Sequence, residues 1–208
     1  MRLLIVTAVE AEAEAISCLE NDHVAVAGIG RTNAATATTL AALAHGPFDA
    51  VLSIGLAGSL PGSGLEIGDF VAARECVYAE EGILTPEGWC DVNTLGFPLG
   101  DFDGNRVPCD EQLIEKMQPI CSIGKIATVA TCSGTDAIAQ EIAQRTGCIA
   151  EAMEGAAVVH AARRLNLPAI EIRVISNTTG HRDTQQWDIT RALQCLREAS
   201  PVLIERLH

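Results

Sequence analysis

Glu10, Glu12 and Glu14 stand directly after a short apolar run at residues 3–7. Carboxylates there complement the positive end of a helix dipole. They also stand at the carboxyl end of a strand, where ligands bind in open parallel sheets, so one of them turned inward would serve as a general base. A second cluster, Met153-Glu154-Gly155, heads an Ala-rich stretch of helical character. Glu154 either complements that helix's dipole or accepts hydrogen bonds from two vicinal hydroxyls, with Met153 packing on the apolar face of a sugar. The third cluster ends the strand pattern Glu171-Ile172-Arg173-Val174-Ile175-Ser176-Asn177 and opens into Thr178-Thr179-Gly180-His181-Arg182-Asp183. Asn177 suits a turn, and it also suits a site that reads a polar, planar ligand.

The elements that position these residues alternate. Apolar runs at 3–7, 24–27 and 50–54 are separated by helical patterns at 10–19 and 32–44, the signature of parallel strands joined by crossovers. A glycine-rich stretch, 55–64, reads as a loop whose glycines permit close backbone approach. A strand at 69–73 follows. From 78 to 108 the periodicity fades and most of the aromatic residues appear, which reads as a long excursion of functional or interfacial use. Order returns with a helix from 110, a strand at 125–130, a helix from 135, a short strand at 148–150, a helix at 155–165, a strand at 169–175 and a final helix from 187. No repeat or linker interrupts the chain, so residues 1–208 are expected to form one α/β domain.

Composition narrows the function. Hydrophobic residues make up 48% of the 208 and aromatic residues only 3%, which suits tightly packed aliphatic layers. A formal charge of -13 with only 14 Lys and Arg argues against a nucleic-acid surface, which needs clustered cations. The eight cysteines form no C-x-x-C pair and several sit in apolar runs, so they are expected to be reduced, with neither a disulfide framework nor a zinc site. No apolar stretch reaches the ~18 residues of a membrane span and no signal peptide is recognisable, so a cytoplasmic setting is expected. Gly28-Ile29-Gly30 invites a dinucleotide reading, but Asn33 stands where the third glycine belongs, and a tight strand-to-helix turn explains the pair better. No phosphate-binding P-loop pattern occurs.

Taken together, Ala8-Val9-Glu10-Ala11-Glu12, Gly28-Ile29-Gly30-Arg31, Gly55-Leu56-Ala57-Gly58, Ile67-Gly68-Asp69, Met153-Glu154-Gly155-Ala156 and Arg173-Val174-Ile175-Ser176-Asn177 resemble the nucleoside phosphorylase and nucleosidase superfamily, in collinear order across most of the chain. Within it, Ser176-Asn177 followed by Gly180-His181-Arg182-Asp183 and Trp187-Asp188-Ile189 resembles the futalosine hydrolase family. The resemblance implies a three-layer α/β/α sandwich with a central mixed sheet. It also implies hydrolysis of a purine nucleoside, futalosine, to hypoxanthine and dehypoxanthine futalosine in menaquinone biosynthesis, with no metal or organic cofactor, in a homo-oligomer. Carried over by position, Glu12 matches the carboxylate that activates water, Glu154 the one that binds the ribose hydroxyls and Met153 the residue beside the sugar, while Gly55 belongs to the substrate loop.

Two departures refine this expectation. Where adenine-cleaving relatives carry Asp, this chain carries Asn177, which donates toward O6 or N7 of a 6-oxopurine but delivers no proton. The proton source is therefore open between water and Asp183. Where phosphorylases place Arg before the loop glycine, this chain has Ser53-Ile54-Gly55, which favours water over phosphate unless Arg31 or Arg74 substitutes. Futalosine also carries a benzoate, for which Arg182 is the candidate cation and Trp187 the candidate aromatic wall. The alternatives are a methylthioadenosine or adenosylhomocysteine nucleosidase, and a purine nucleoside-binding protein without turnover.

Overall fold

The computed structural model describes all 208 residues. The first half runs β1 (Leu3–Thr7), α1 (Glu10–Ala13), β2 (His23–Val26), α2 (Arg31–His45), β3 (Ala50–Ser59) and β4 (Phe70–Tyr78). The excursion follows as β5 (Gly82–Thr85), β6 (Gly88–Asp91) and β7 (Arg106–Pro108). The chain closes with α3 (Glu111–Met117), β8 (Ser122–Thr128), α4 (Asp136–Thr146), β9 (Ala150–Ala152), α5 (Gly155–Arg164), β10 (Ala169–Thr178) and α6 (Ile189–Leu207).

The strands build a central mixed sheet in the order β10-β4-β8-β9-β3-β1-β2, with β7 on the free edge of β4. β10 also pairs in parallel with β3, so β3, β10, β4, β8 and β9 close the sheet on itself and β1 and β2 extend it. Helices cover both faces, α2 and α5 packing together on one and α1, α3 and α6 on the other. The main core is aliphatic: Leu3, Leu4, Ile5, Leu52, Ile54, Ile170 and Ile172 are at most 1% exposed, as the near-continuous apolar runs of doubly covered strands require.

Three departures from the sequence reading matter for the site. The helix expected over 10–19 is a single turn, because the backbone beyond it is claimed elsewhere: Ser17 N–H donates to Ser200 Oγ on α6 (3.0 Å) and Leu19 N–H to Asp22 (3.0 Å). The glycine-rich loop expected from 55 is strand as far as Ser59, since β3 pairs with β10 along that whole length. The excursion contains a hairpin, β5–β6, which its weak periodicity concealed.

β10 itself carries an irregularity. Ile175 faces Ala57 and Asn177 faces Gly58, leaving Ser176 as the extra residue of a bulge; bulges re-aim the side chains beside them. Gly155, the first residue of α5, sits where a Cβ would fall onto the Glu171 carboxyl group. Gly155→Ala is therefore expected to overpack the core, at a cost of about 1–3 kcal/mol or more, read as a lowered urea midpoint; an unchanged midpoint would show that α5 can shift without penalty.

Candidate active site

A cavity of about 470 Å³ opens where β1, β3, β9 and β10 end, among its walls Glu12, Glu151, Met153, Glu154, Arg173 and Asn177. β1 delivers its carboxylate through the single turn of α1. Of the three early glutamates only Glu12 is buried, at 4% exposure, while Glu10 and Glu14 lie in solvent. Its Oε2 accepts from the N–H groups of Ala8 (2.8 Å) and Val9 (3.2 Å), and its Oε1 from that of Leu56 (2.8 Å). Three fixed donors hold the carboxylate in one orientation and leave further lone pairs for a ligand.

Glu154 is the N-cap residue of α5, whose first turn is capped instead by Thr128: the Ala156 N–H donates to its Oγ1 (2.8 Å). The Glu154 side chain is thus released to reach across the molecule. It accepts from the Gly30 N–H (3.0 Å), at the start of α2, through Oε1, and Oε2 lies 3.3 Å from Arg173 Nη2. Gly28 and Gly30 have φ of 87° and 95°, conformations that favour glycine, so the Gly-Ile-Gly turn is a strand-to-helix connection, as its spacing suggests.

Arg173 lies between the carboxylates. Its Nε donates to Glu171 Oε1 (2.8 Å), Nη1 to the Leu56 carbonyl (3.3 Å) and Nη2 to Ser53 Oγ (3.4 Å) and Glu154. A Cβ on Gly55 would collide with both Glu12 Oε1 and Arg173 Nη1, which is why glycine stands there. Burial pulls the guanidinium's pKa down, and Glu171, Glu154 and Glu12 more than offset that, so it ends above its ordinary value. The expected substrate-loop residue Gly55 is therefore a spacer behind the site, not part of the cavity wall.

At the other end Ser176 Oγ donates to Asn177 Oδ1 (2.8 Å) and Asn177 Nδ2 donates to the Thr178 carbonyl (3.0 Å). With its oxygen already engaged, the amide has one N–H left to offer. Gly58 opposite accommodates it, since a Cβ there would lie 2.9 Å from Nδ2. Arg182 and Trp187 also line the cavity; the guanidinium lies 4.6 Å from the indole ring centroid, and both side chains bond Gln185 Oε1.

Glu12, Met153, Glu154, Asn177, Arg182 and Trp187 thus converge as the sequence suggested. Asp183 does not: it is exposed, off the cavity wall, with its N–H turned to His181 Nδ1 (3.3 Å), because the 179–187 loop turns its backbone toward Ser133 and Gly134 and points this side chain outward. Arg31 and Arg74 do not supply a phosphate site either. Arg31 is engaged by Glu80 and Glu81, and Arg74 is exposed on β4. Sequence reasoning missed Arg173, although a Glu-x-Arg pair inside an apolar strand was a legible sign of a buried ion pair. It also missed Glu151 and Ser133, which carry no spacing signal.

The fold and this cavity define a class. The chain belongs to the phosphorylase superfamily, whose family profile matches residues 21–207. It is 36% identical to the futalosine hydrolase of Acidothermus cellulolyticus over 98% of this chain and 90% of the relative. It is 37% identical to that of Thermus thermophilus over 83% and 76%. Among solved structures, the 5'-methylthioadenosine/S-adenosylhomocysteine nucleosidase of Colwellia psychrerythraea in complex with adenine superimposes with a TM-score of 0.78 at 20% identity, covering 100% of this chain and 94% of that one.

Glu12→Gln keeps the shape of the side chain and removes its basicity. Turnover is expected to fall below detection while nucleoside binding, measured by calorimetry, persists; an active variant would take Glu12 out of the chemistry.

Proposed function

We propose that this protein hydrolyses the N-glycosidic bond of futalosine, releasing hypoxanthine and dehypoxanthine futalosine in menaquinone biosynthesis from chorismate. Similarity to futalosine hydrolases over most of the chain carries the family reading, and the bonded amide of Asn177 carries the choice of base. Its Oδ1 already accepts from Ser176 and one Nδ2 hydrogen goes to the Thr178 carbonyl, which leaves an N–H to offer, a donor that suits the O6 or N7 acceptors of a 6-oxopurine. An adenine amino group would face that donor without an acceptor, at a cost of about 1–3 kcal/mol.

In this reading Glu154 holds the ribose hydroxyls, Met153 packs beside the sugar, and Glu12 orients and deprotonates water at C1′ as an oxocarbenium-like transition state forms. Arg182, backed by Trp187, meets the benzoate at the outer end. The engagement of Arg31 by two glutamates supports water over phosphate as the nucleophile. No helix is long and apolar enough to cross a membrane. All eight cysteines are unbridged, which accords with a cytoplasmic setting, and Leu84 and Phe97, at 80% and 74% exposure on the excursion, would find cover in a homo-oligomer.

The deciding assay incubates the protein with futalosine, aminofutalosine, inosine and methylthioadenosine, with and without phosphate, and follows base release. Phosphate-independent hypoxanthine release from futalosine is expected, and phosphate-dependent cleavage of inosine would sink the proposal. Asn177→Asp restores an acceptor and should move the kcat/KM ratio about tenfold or more toward the 6-amino substrate; unchanged selectivity would refute the role given to Asn177.

A further inference from the structure

One carboxyl group in the cavity has no part in this scheme. Glu151 lies on β9, 5% exposed, and lines the same cavity as Glu12 and Glu154. Its ladder partner on β3 is Gly58, and the partner of Gly58 on β10 is Asn177. Glu151 and Asn177 therefore flank one glycine from opposite sides, their backbones two strand spacings or ~9–10 Å apart, and the Asn177 amide lies over Gly58. Both side chains line the cavity at this point.

The surroundings of Glu151 differ from those of the other two carboxylates. Glu12 and Glu154 are held by backbone N–H groups and lie against Arg173, whereas the only hydrogen-bond partner of Glu151 is Ser133, whose N–H reaches Oε1 (2.8 Å) and whose Oγ reaches Oε2 (2.6 Å). The titratable groups facing it are Cys132 on the same loop and Glu80, which accepts from the N–H groups of Ala130 and Thr131; Arg31 is spent on Glu80 and Glu81. Buried charges are ordinarily paired, and this carboxyl has no cation. Burial raises its pKa, the two bonds from Ser133 pull it partly back, and Glu80 adds to the rise. Carboxyl groups sharing one cavity, Glu12 and Glu154 ringed by donors beside a guanidinium and Glu151 buried without a cation, make up the arrangement that separates base from acid.

We propose that Glu151 is the catalytic general acid that protonates the departing purine, the part that neither Asn177 nor the outward-facing Asp183 can take. The inference rests on the reading of the site as a nucleoside hydrolase. As the C1′–N9 bond breaks, its electron pair stays with the purine. The Glu151 O–H bond breaks and its proton forms a new N–H bond on the base, leaving a carboxylate stabilised by the Ser133 hydroxyl and N–H. The water oxygen bonds to C1′ and a water proton passes to Glu12. Transfer of one proton from Glu12 to Glu151 through solvent restores the starting state.

The test is the pH profile of kcat/KM on whichever purine nucleoside the wild-type protein cleaves. Glu151 must be protonated to act, so activity should fall as pH rises through its pKa, giving an alkaline limb. Glu151→Gln should lower kcat/KM by about 10²–10⁴-fold and erase that limb, while cleavage of 4-nitrophenyl riboside, whose leaving group needs no proton, stays largely intact. The Gln oxygen still accepts from the Ser133 N–H, and an unchanged Tm would verify the fold. Ser133→Ala removes a bond that favours the ionised form, so its alkaline limb should shift to higher pH. Equal losses on both substrates, or an alkaline limb that survives in Glu151→Gln, would overturn the proposal and leave Glu151 as an anchor for the Ser133 loop. Absence of base release from futalosine, with release from another purine nucleoside, would defeat the substrate assignment and leave this test intact.

Discussion

A guanidinium buried inside an aliphatic sheet is the constraint around which this molecule is built. Arg173 is 2% exposed and Glu171, two residues before it on the same strand, is 0% exposed. Removing two such charges from water is costly unless every donor and acceptor finds a partner. Here each guanidinium nitrogen does, through Glu171, Glu154, Ser53 and the Leu56 carbonyl. The remaining Glu171 oxygen accepts from the Cys76 thiol (3.0 Å), whose pKa burial drives well up. One cation thus engages Glu154, lies beside Glu12 and ties β10 to β3, while its partner Glu171 joins β10 to β4 through Cys76. Glu154 is thus tied to a group that barely faces the cavity, while backbone N–H groups hold Glu12 beside it.

Glycine is the other side of that constraint. Gly55 leaves room for Glu12 to approach Arg173, Gly58 for Asn177 to lie over β3, and Gly155 for Glu171 to sit beneath α5. None of the three has a positive φ, so their use is spatial: each is a place where a polar side chain from a neighbouring element crosses the backbone. A stretch rich in glycine looks like a loop because flexibility is the commoner reason for glycine. On β3 the residues are ordered strand, and the places of the missing side chains are taken by Glu12, Arg173 and Asn177.

This explains what the sequence did and did not disclose. Alternating apolar runs and helical patterns marked the α/β order because burial on both faces leaves a strong local signature. The short α1 was invisible as such, since its end depends on Ser200, some 180 residues away in the chain. Glu12, Glu154 and Asn177 were legible because each ends a strand or begins a helix, where polar residues interrupt an apolar pattern. Glu151 was not, because β9 is three residues long and its importance comes from what β3 and β10 place beside it. Asp183 misled for the converse reason: closeness in sequence to Asn177 says nothing about which way a loop side chain points.

The segment after β10 does not leave the strand freely. Asn177 forms a bridge with Trp187, the Thr178 N–H donates to the Gln186 carbonyl (3.0 Å) and the Asp188 N–H to that of Ser176 (2.9 Å). Gln185 Nε2 in turn donates to the Ser133 carbonyl (2.8 Å). The wall bearing Arg182 and Trp187 is therefore stitched to Asn177 and to Ser133, the residue that holds Glu151, so the molecule has no independent flap at its mouth. On the proposed reading, occupancy of the outer end by the long arm of a substrate would be felt as tension or slack at the purine, and a truncated nucleoside that left the arm's place empty would meet a differently set pair of jaws.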